Sequence, residues 1–197
     1  MKKFFSICLL FIGVAVLSVS CKEPEPPANV IGDVITVDGK TGVVFSVDAD
    51  GEHGLMVGLT ESVCSWSKYH VATGATSADD GETNMNAIMA CNNWRLDYAA
   101  FNIAYTQGEG WYIPAKNELQ KLLEAALSIN PVLTEQGGTP ISTTKTYWTS
   151  TEDGSDNAFA GQVDANGTVT ITTSPKNNTV NLIARPITKF YNPRVVE

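Results

Sequence analysis

The sequence predicts an α+β domain of antiparallel strands with two helices, carried behind an export leader. Three observations lead there. Short β-branched runs separated by Asp-Gly and Asn-Gly turns lie toward both ends of the chain, helical periodicity occupies the middle, and the opening stretch is charged and then apolar. Strands at both ends with helices between them make an α+β pattern rather than an alternating α/β one.

The leader comes first. Lys2 and Lys3 precede an apolar run from Phe4 to Val19, and the small residue Ser20 stands directly before Cys21. That is the build of a cleaved secretory signal over residues 1–20, too short and too early for a stop-transfer anchor. Leu17-Ser18-Val19-Ser20-Cys21 resembles a lipobox, with Ser18 where lipoboxes often carry Leu, which implies that Cys21 becomes a lipidated N-terminus. Residues 21–33 are expected to form a tether, because three prolines among residues 22–29 favour an extended spacer. Cys21-Lys22-Glu23 also resembles the signal that sends lipoproteins of Bacteroidetes-type bacteria to the outer cell surface. The expected location is therefore the outer membrane, facing outward or into the periplasm.

From residue 34 to the end a single domain is expected. Residues 34–37, 41–47 and 54–59 read as three strands, with Asp38-Gly39 and Asp50-Gly51 supplying turn residues that tolerate positive φ. A polar loop over residues 73–81 gives way to helical spacing, with Ala87, Ile88, Cys91, Trp94, Arg95 and Tyr98 on one side and Thr83 as N-cap. In the second helix Pro114 takes a first-turn position. Leu119, Leu122, Leu123, Ala126 and Leu127 form its buried stripe, and it is expected to stop before Pro131, with Lys116 and Lys121 facing solvent. Residues 146–150, 157–164, 168–173 and 180–187 return to strands. Asn166-Gly167 marks a hairpin, and Phe159, Gly161, Val163, Val169 and Ile171 mark its buried face.

Charge and cysteine content narrow the function. The chain has 13 basic and 21 acidic residues; removal of Lys2 and Lys3 leaves 11 against 21, a net charge near −10. Such a domain lacks the clustered Lys and Arg that phosphate neutralisation needs, so nucleic acid and anionic headgroups are poor partners. Beyond Cys8 in the leader and Cys21, only Cys64 and Cys91 remain, and whether they form a disulfide or serve as small buried hydrophobes stays open.

Several segments together resemble one family: Gly42-Val43-Val44-Phe45, Asp50-Gly51-Glu52-His53-Gly54-Leu55, residues 84–88, the run from Gly110-Trp111 through Pro114 to Glu118-Leu119, Tyr147-Trp148-Thr149-Ser150-Thr151-Glu152, and Arg185-Pro186-Ile187. The chain is similar over residues 42–187 to the DUF1566 domain, also called the C-terminal domain of Legionella collagen-like adhesin, and more distantly to the Fibrobacter major paralogous domain. The resemblance implies a variant of the C-type lectin-like fold, shared with formylglycine-generating enzymes, and an exported protein linked to adhesion.

The motif residues Trp111, Pro114, Glu118, Trp148 and Arg185 read as structural, with Trp111 and Trp148 in the core and Glu118 paired with Arg185. The Glu-Pro-Asn, Gln-Pro-Asp and Trp-Asn-Asp tripeptides of calcium-dependent lectins are absent from the domain, so no metal centre and no cofactor are expected. Trp66 and Tyr69 are candidates for stacking on sugar rings, and Glu152, Asp153, Asp156 and Asn157 are candidates for polar contacts from a late-strand loop. His53 and His70 belong to no triad or zinc motif. The expected function is a lipid-anchored surface module recognising a glycan or a surface protein. The alternatives are an accessory protein of an adhesive assembly without small ligand and, third, an enzyme of the formylglycine-generating type.

Overall fold

Two sheets meet across one long helix. The computed structural model describes residues 28–193; the leader, Cys21 and residues 22–27 lie outside the described residues, as do residues 194–197. The first sheet has the order β1-β2-β3-β9, from β1 (Val34–Val37), β2 (Lys40–Val47), β3 (His53–Val57) and β9 (Ile187–Tyr191). The second has the order β4-β8-β5-β6-β7, from β4 (Ser62–Val63), β8 (Leu182–Ala184), β5 (Thr146–Asp153), β6 (Asn157–Val163) and β7 (Val169–Pro175). All pairings are antiparallel except β5 with β8, so the expected all-antiparallel arrangement is corrected at that pair.

The last expected strand also departs from expectation. Arg185 and Pro186 interrupt the continuous run expected over residues 180–187, because Pro186 has no amide to give a ladder. The chain steps at this point from the second sheet into the first.

Among the described residues four helices replace the two expected: α1 (Gly81–Met89), α2 (Trp94–Asp97), α3 (Ala99–Thr106) and α4 (Lys116–Glu135). Asn93 takes a left-handed conformation (φ 53°), which an Asn tolerates and which breaks the single helix expected around residues 87–98. Asp80, not Thr83, caps α1: its carboxylate accepts the Glu82 amide at 3.1 Å and the Thr83 hydroxyl at 2.8 Å. Pro114 lies just before α4 rather than within its first turn, and α4 runs through Pro131 instead of stopping before it. Ile129 and Leu133 on either side of that proline are fully buried, and Asn130 is clamped to both backbone groups of Ile141. This packing outweighs the loss of one helical hydrogen bond. Lys116 is half-buried with its ammonium 4.8 Å from the centre of the Phe159 ring, whereas Lys121 is exposed.

The main core lies where α4 crosses both sheets. Leu119, Leu122, Leu123, Ala126 and Ile129 pack with Phe45, Tyr147, Trp148, Val163 and Ile183, whereas Leu127, expected in the buried stripe, lies at its edge and is 46 % exposed. Gly161 is required here, because a Cβ would come within 2.6 Å of Ile171 and 2.9 Å of Leu123. A smaller cluster of Val44, Met56 and Phe190 occupies the other face of the first sheet. Residues 29–33, read from sequence as the end of the tether, already bond to β2 and to the β2–β3 turn.

Candidate functional site

A buried ion pair places the loops that the sequence singled out. Glu152, near the end of β5, meets the Lys176 ammonium at 2.7 Å, and the two side chains are 3 % and 0 % exposed. The Glu152 carboxylate also accepts the Thr73 amide at 3.0 Å and the Gly74 amide at 2.8 Å, while Lys176 donates to the carbonyls of Val71 at 2.7 Å and Gly154 at 3.0 Å. All three ammonium protons are thus used. Burial pushes the Glu152 carboxyl up, but Lys176 and the two amides outweigh it and hold the group below its ordinary range.

One pair therefore fixes two loops, residues 67–76 and residues 153–156, side by side. Tyr69 is 54 % exposed on the first loop, next to His70, whose Nδ1 lies 3.7 Å from Asp156 Oδ1 on the second. Asp153 and Asp156 are exposed and Asn157 is half-buried at the start of β6. The structure thus brings Tyr69 and Asp156 onto one surface. Two other candidates need correction. Trp66 is fully buried, donates its indole N–H to the Thr149 carbonyl at 2.8 Å and packs edge-on against Phe101, so it has no face for a sugar. Glu152 belongs to the interior, because the loop it was assigned to folds back over Lys176. Among the described residues no group of three or more His, Cys, Asp or Glu side chains is placed to hold a metal ion.

The motif residues settle into separate networks. Glu118 is buried at the start of α4, where its carboxylate accepts the amides of Ala115 at 2.7 Å and Gly81 at 3.0 Å and the Tyr112 hydroxyl at 2.9 Å. Burial pushes its carboxyl above the ordinary range, because these donors are neutral. The expected Glu118–Arg185 pair is not formed. Arg185 bonds to Glu61 at 3.0 Å instead, since β8 aims it at the chain leading into β4. Trp148 is buried and donates to the Cys64 carbonyl at 2.9 Å, and the Pro114 carbonyl accepts the Ser150 amide at 2.7 Å.

Cys64 and Cys91 are both free thiols. Cys91 sits in the turn after α1 rather than on a helix face, and burial pushes the Cys64 thiol up to about 12, which leaves it protonated and unreactive at neutral pH.

Sequence reasoning missed one concavity altogether. A cavity of about 570 Å³ opens between α1, α3 and the loop from Gly108 to Tyr112. Met85 and Met89 give it an apolar wall from one face of α1, with Glu82 and Asn86 at its rim; Tyr105 of α3 and Trp111 complete it. Tyr105 is 39 % exposed, and the Arg95 guanidinium lies 4.3 Å from its ring centre and donates to its hydroxyl. Glu82 is held by Lys189 at 3.0 Å. The loop needs Gly110 at φ +80°, where a Cβ would also approach the Lys40 ammonium to 3.0 Å. Glu82, Met85 and Met89 share one face of α1 only because the helix starts at Gly81 rather than after Thr83, and nothing local shows what that face meets.

No family model and no curated protein matches the chain. Among solved structures it is similar to a fimbrial protein from Bacteroides ovatus, with a TM-score of 0.63 and 16 % identity. The match covers 82 % of this chain and 48 % of that one, so this chain spans about half the length of the fimbrial protein. At that identity the likeness is one of fold. No helix among the described residues is long and apolar enough to cross a membrane.

Proposed function

We propose that the chain is a surface adhesion or recognition module, held at the outer membrane by lipid on Cys21, that binds a glycan in the groove between α1 and α3. The groove carries this reading. Its volume of about 570 Å³ suits one or two sugar rings, the exposed Tyr105 ring offers an apolar face for ring C–H groups with Met89 beside it, and Glu82 and Asn86 offer oxygens to hydroxyls. A fold similar to that of a fimbrial protein supports an adhesive or accessory setting. The resemblance to DUF1566 domains supports a C-type lectin-like variant, and the reading requires no catalysis. Tyr69 and Asp156 form a second contact surface, suited to a larger ligand or a neighbouring protein.

A glycan array with residues 22–197 tests the proposal. Reproducible binding that falls roughly tenfold in Tyr105→Ala, about 1.4 kcal/mol, and is unchanged in Tyr69→Ala places the sugar in the groove. The converse pattern moves it to the two-loop surface. Binding is expected without added calcium, because the Glu152 carboxylate is committed to Lys176. A blank array with folded protein overturns the glycan reading in favour of an accessory role without small ligand.

A further inference from the structure

The outer edge of the second sheet is built to pair. β7 is its last strand, seven residues long, in unbroken register with β6 from Asn157↔Pro175 to Val163↔Val169. The phase of the ladder follows from its two ends, where the Asp164 amide donates to the Thr168 carbonyl and the Lys176 amide to the Asp156 carbonyl, each at 3.0 Å. Antiparallel pairs exchange hydrogen bonds at every second residue, so Thr170, Thr172 and Ser174 direct their backbone groups at β6. Val169, Ile171 and Thr173 therefore direct theirs outward, where the described residues contain no further strand.

Sheet edges are ordinarily blunted by shortness, charge, proline or bulges. The other edges here follow that rule. β1 has four residues flanked by Asp33, Asp38 and Lys40, β4 has two residues, and β9 carries Lys189 and is bridged by Tyr112 at Ile187. β7, Val-Thr-Ile-Thr-Thr-Ser-Pro, has no charged residue and no bulge, and its one proline is the final position. In a chain of net charge −8 most of the surface opposes a second copy, and this strand does not.

We propose that β7 pairs with β7 of a second copy, antiparallel about a two-fold axis at Ile171, to make a continuous sheet across a dimer. The strand is its own complement. Ile171 stands opposite Ile171 of the second copy and Val169 opposite Thr173, so each outward amide finds a carbonyl across the axis. Pro175, the next outward position, has no N–H and ends the ladder. Thr170 falls opposite Thr172 on the exposed face, a favourable cross-strand pair. On the other face Val169 and Ile171 are half-buried toward α4, where Leu127 is 46 % exposed beside the hairpin and gives the joined sheet an apolar row to extend.

Sedimentation velocity of residues 22–197 over a wide concentration range reads the proposal, with a reversible monomer–dimer equilibrium as the expected result. Thr173→Pro removes an outward amide from an exposed position without touching the bonds to β6, and is expected to weaken the dimer at least tenfold. Thr172→Glu sets added charge near the axis and is expected to weaken it more at low salt than at high. Amide exchange gives an independent pattern: Val169, Ile171 and Thr173 slow as concentration rises, while Thr170 and Thr172 stay protected throughout. A monomer at every soluble concentration overturns the proposal. So does a dimer indifferent to Thr172→Glu, or one that leaves those three amides unchanged. None of these readouts involves the groove, so they stand or fall apart from glycan binding.

Discussion

Glu118 and Glu152 both carry buried carboxylates, yet their surroundings move them in opposite directions. Glu152 faces the Lys176 ammonium and stays ionised more readily than a free carboxyl; Glu118 has only two amides and a phenol, and burial pushes it up. Both are well supplied with hydrogen bonds. The difference is the cation, because neutral donors compensate lost water only in part, whereas a paired ammonium adds direct attraction in a medium that screens poorly.

Breaking the cation side has the largest effect. Lys176→Met leaves the Glu152 charge buried with amides alone and is expected to cost about 3–5 kcal/mol in urea unfolding. The double variant with Glu152→Gln is expected to recover part of that, since the stranded charge is gone. Glu118→Ala orphans the amides of Gly81 and Ala115 and the Tyr112 hydroxyl, for about 3 kcal/mol at the low end of roughly 1–3 kcal/mol for each donor.

The pH dependences sharpen the comparison, with slopes of up to about 1.4 kcal/mol per pH unit. Glu152 has its folded value below the ordinary 4.5, so it adds stability above 4.5 that is lost as pH falls through the folded value. Glu118 has its folded value above 4.5, so its contribution is complete below 4.5 and is lost as pH rises through the folded value. Thermal unfolding against pH is expected to lose the acid-side slope in Glu152→Gln and the higher-pH slope in Glu118→Gln. Equal slopes of one sign in both variants would contradict the comparison. Tyr112→Phe is the mildest change. It removes one neutral donor from Glu118, costs about 1 kcal/mol by urea unfolding and moves the Glu118 slope to higher pH.

Most strands were legible because alternation and turn residues are local. The β6–β7 hairpin closes with Gly167 at φ +84°, and the strands expected over residues 34–37 and 41–47 match β1 and β2 within one residue. The helical region was less legible. One left-handed residue, Asn93, divides a run whose periodicity looked continuous, and Pro131 fails to end α4 because of burial that periodicity does not reveal. Of the candidate contact residues, Tyr69 and Asp156 do share a surface. Trp66 and Glu152 do not, since an aromatic or a carboxylate in a loop segment reads alike whether it faces solvent or a lysine more than twenty positions away.

The sequence by itself determined the α+β class, most strand positions, the stripe of α4 apart from the exposed Leu127, and the acidic character, because period and charge are written residue by residue. Tertiary structure alone decided the partners of Glu118, Glu152 and Arg185, the groove walled by Met85, Met89 and Tyr105, and the exposed phase of β7. Each of these depends on which distant backbone arrives opposite, and that is set by the packing of two sheets on one helix.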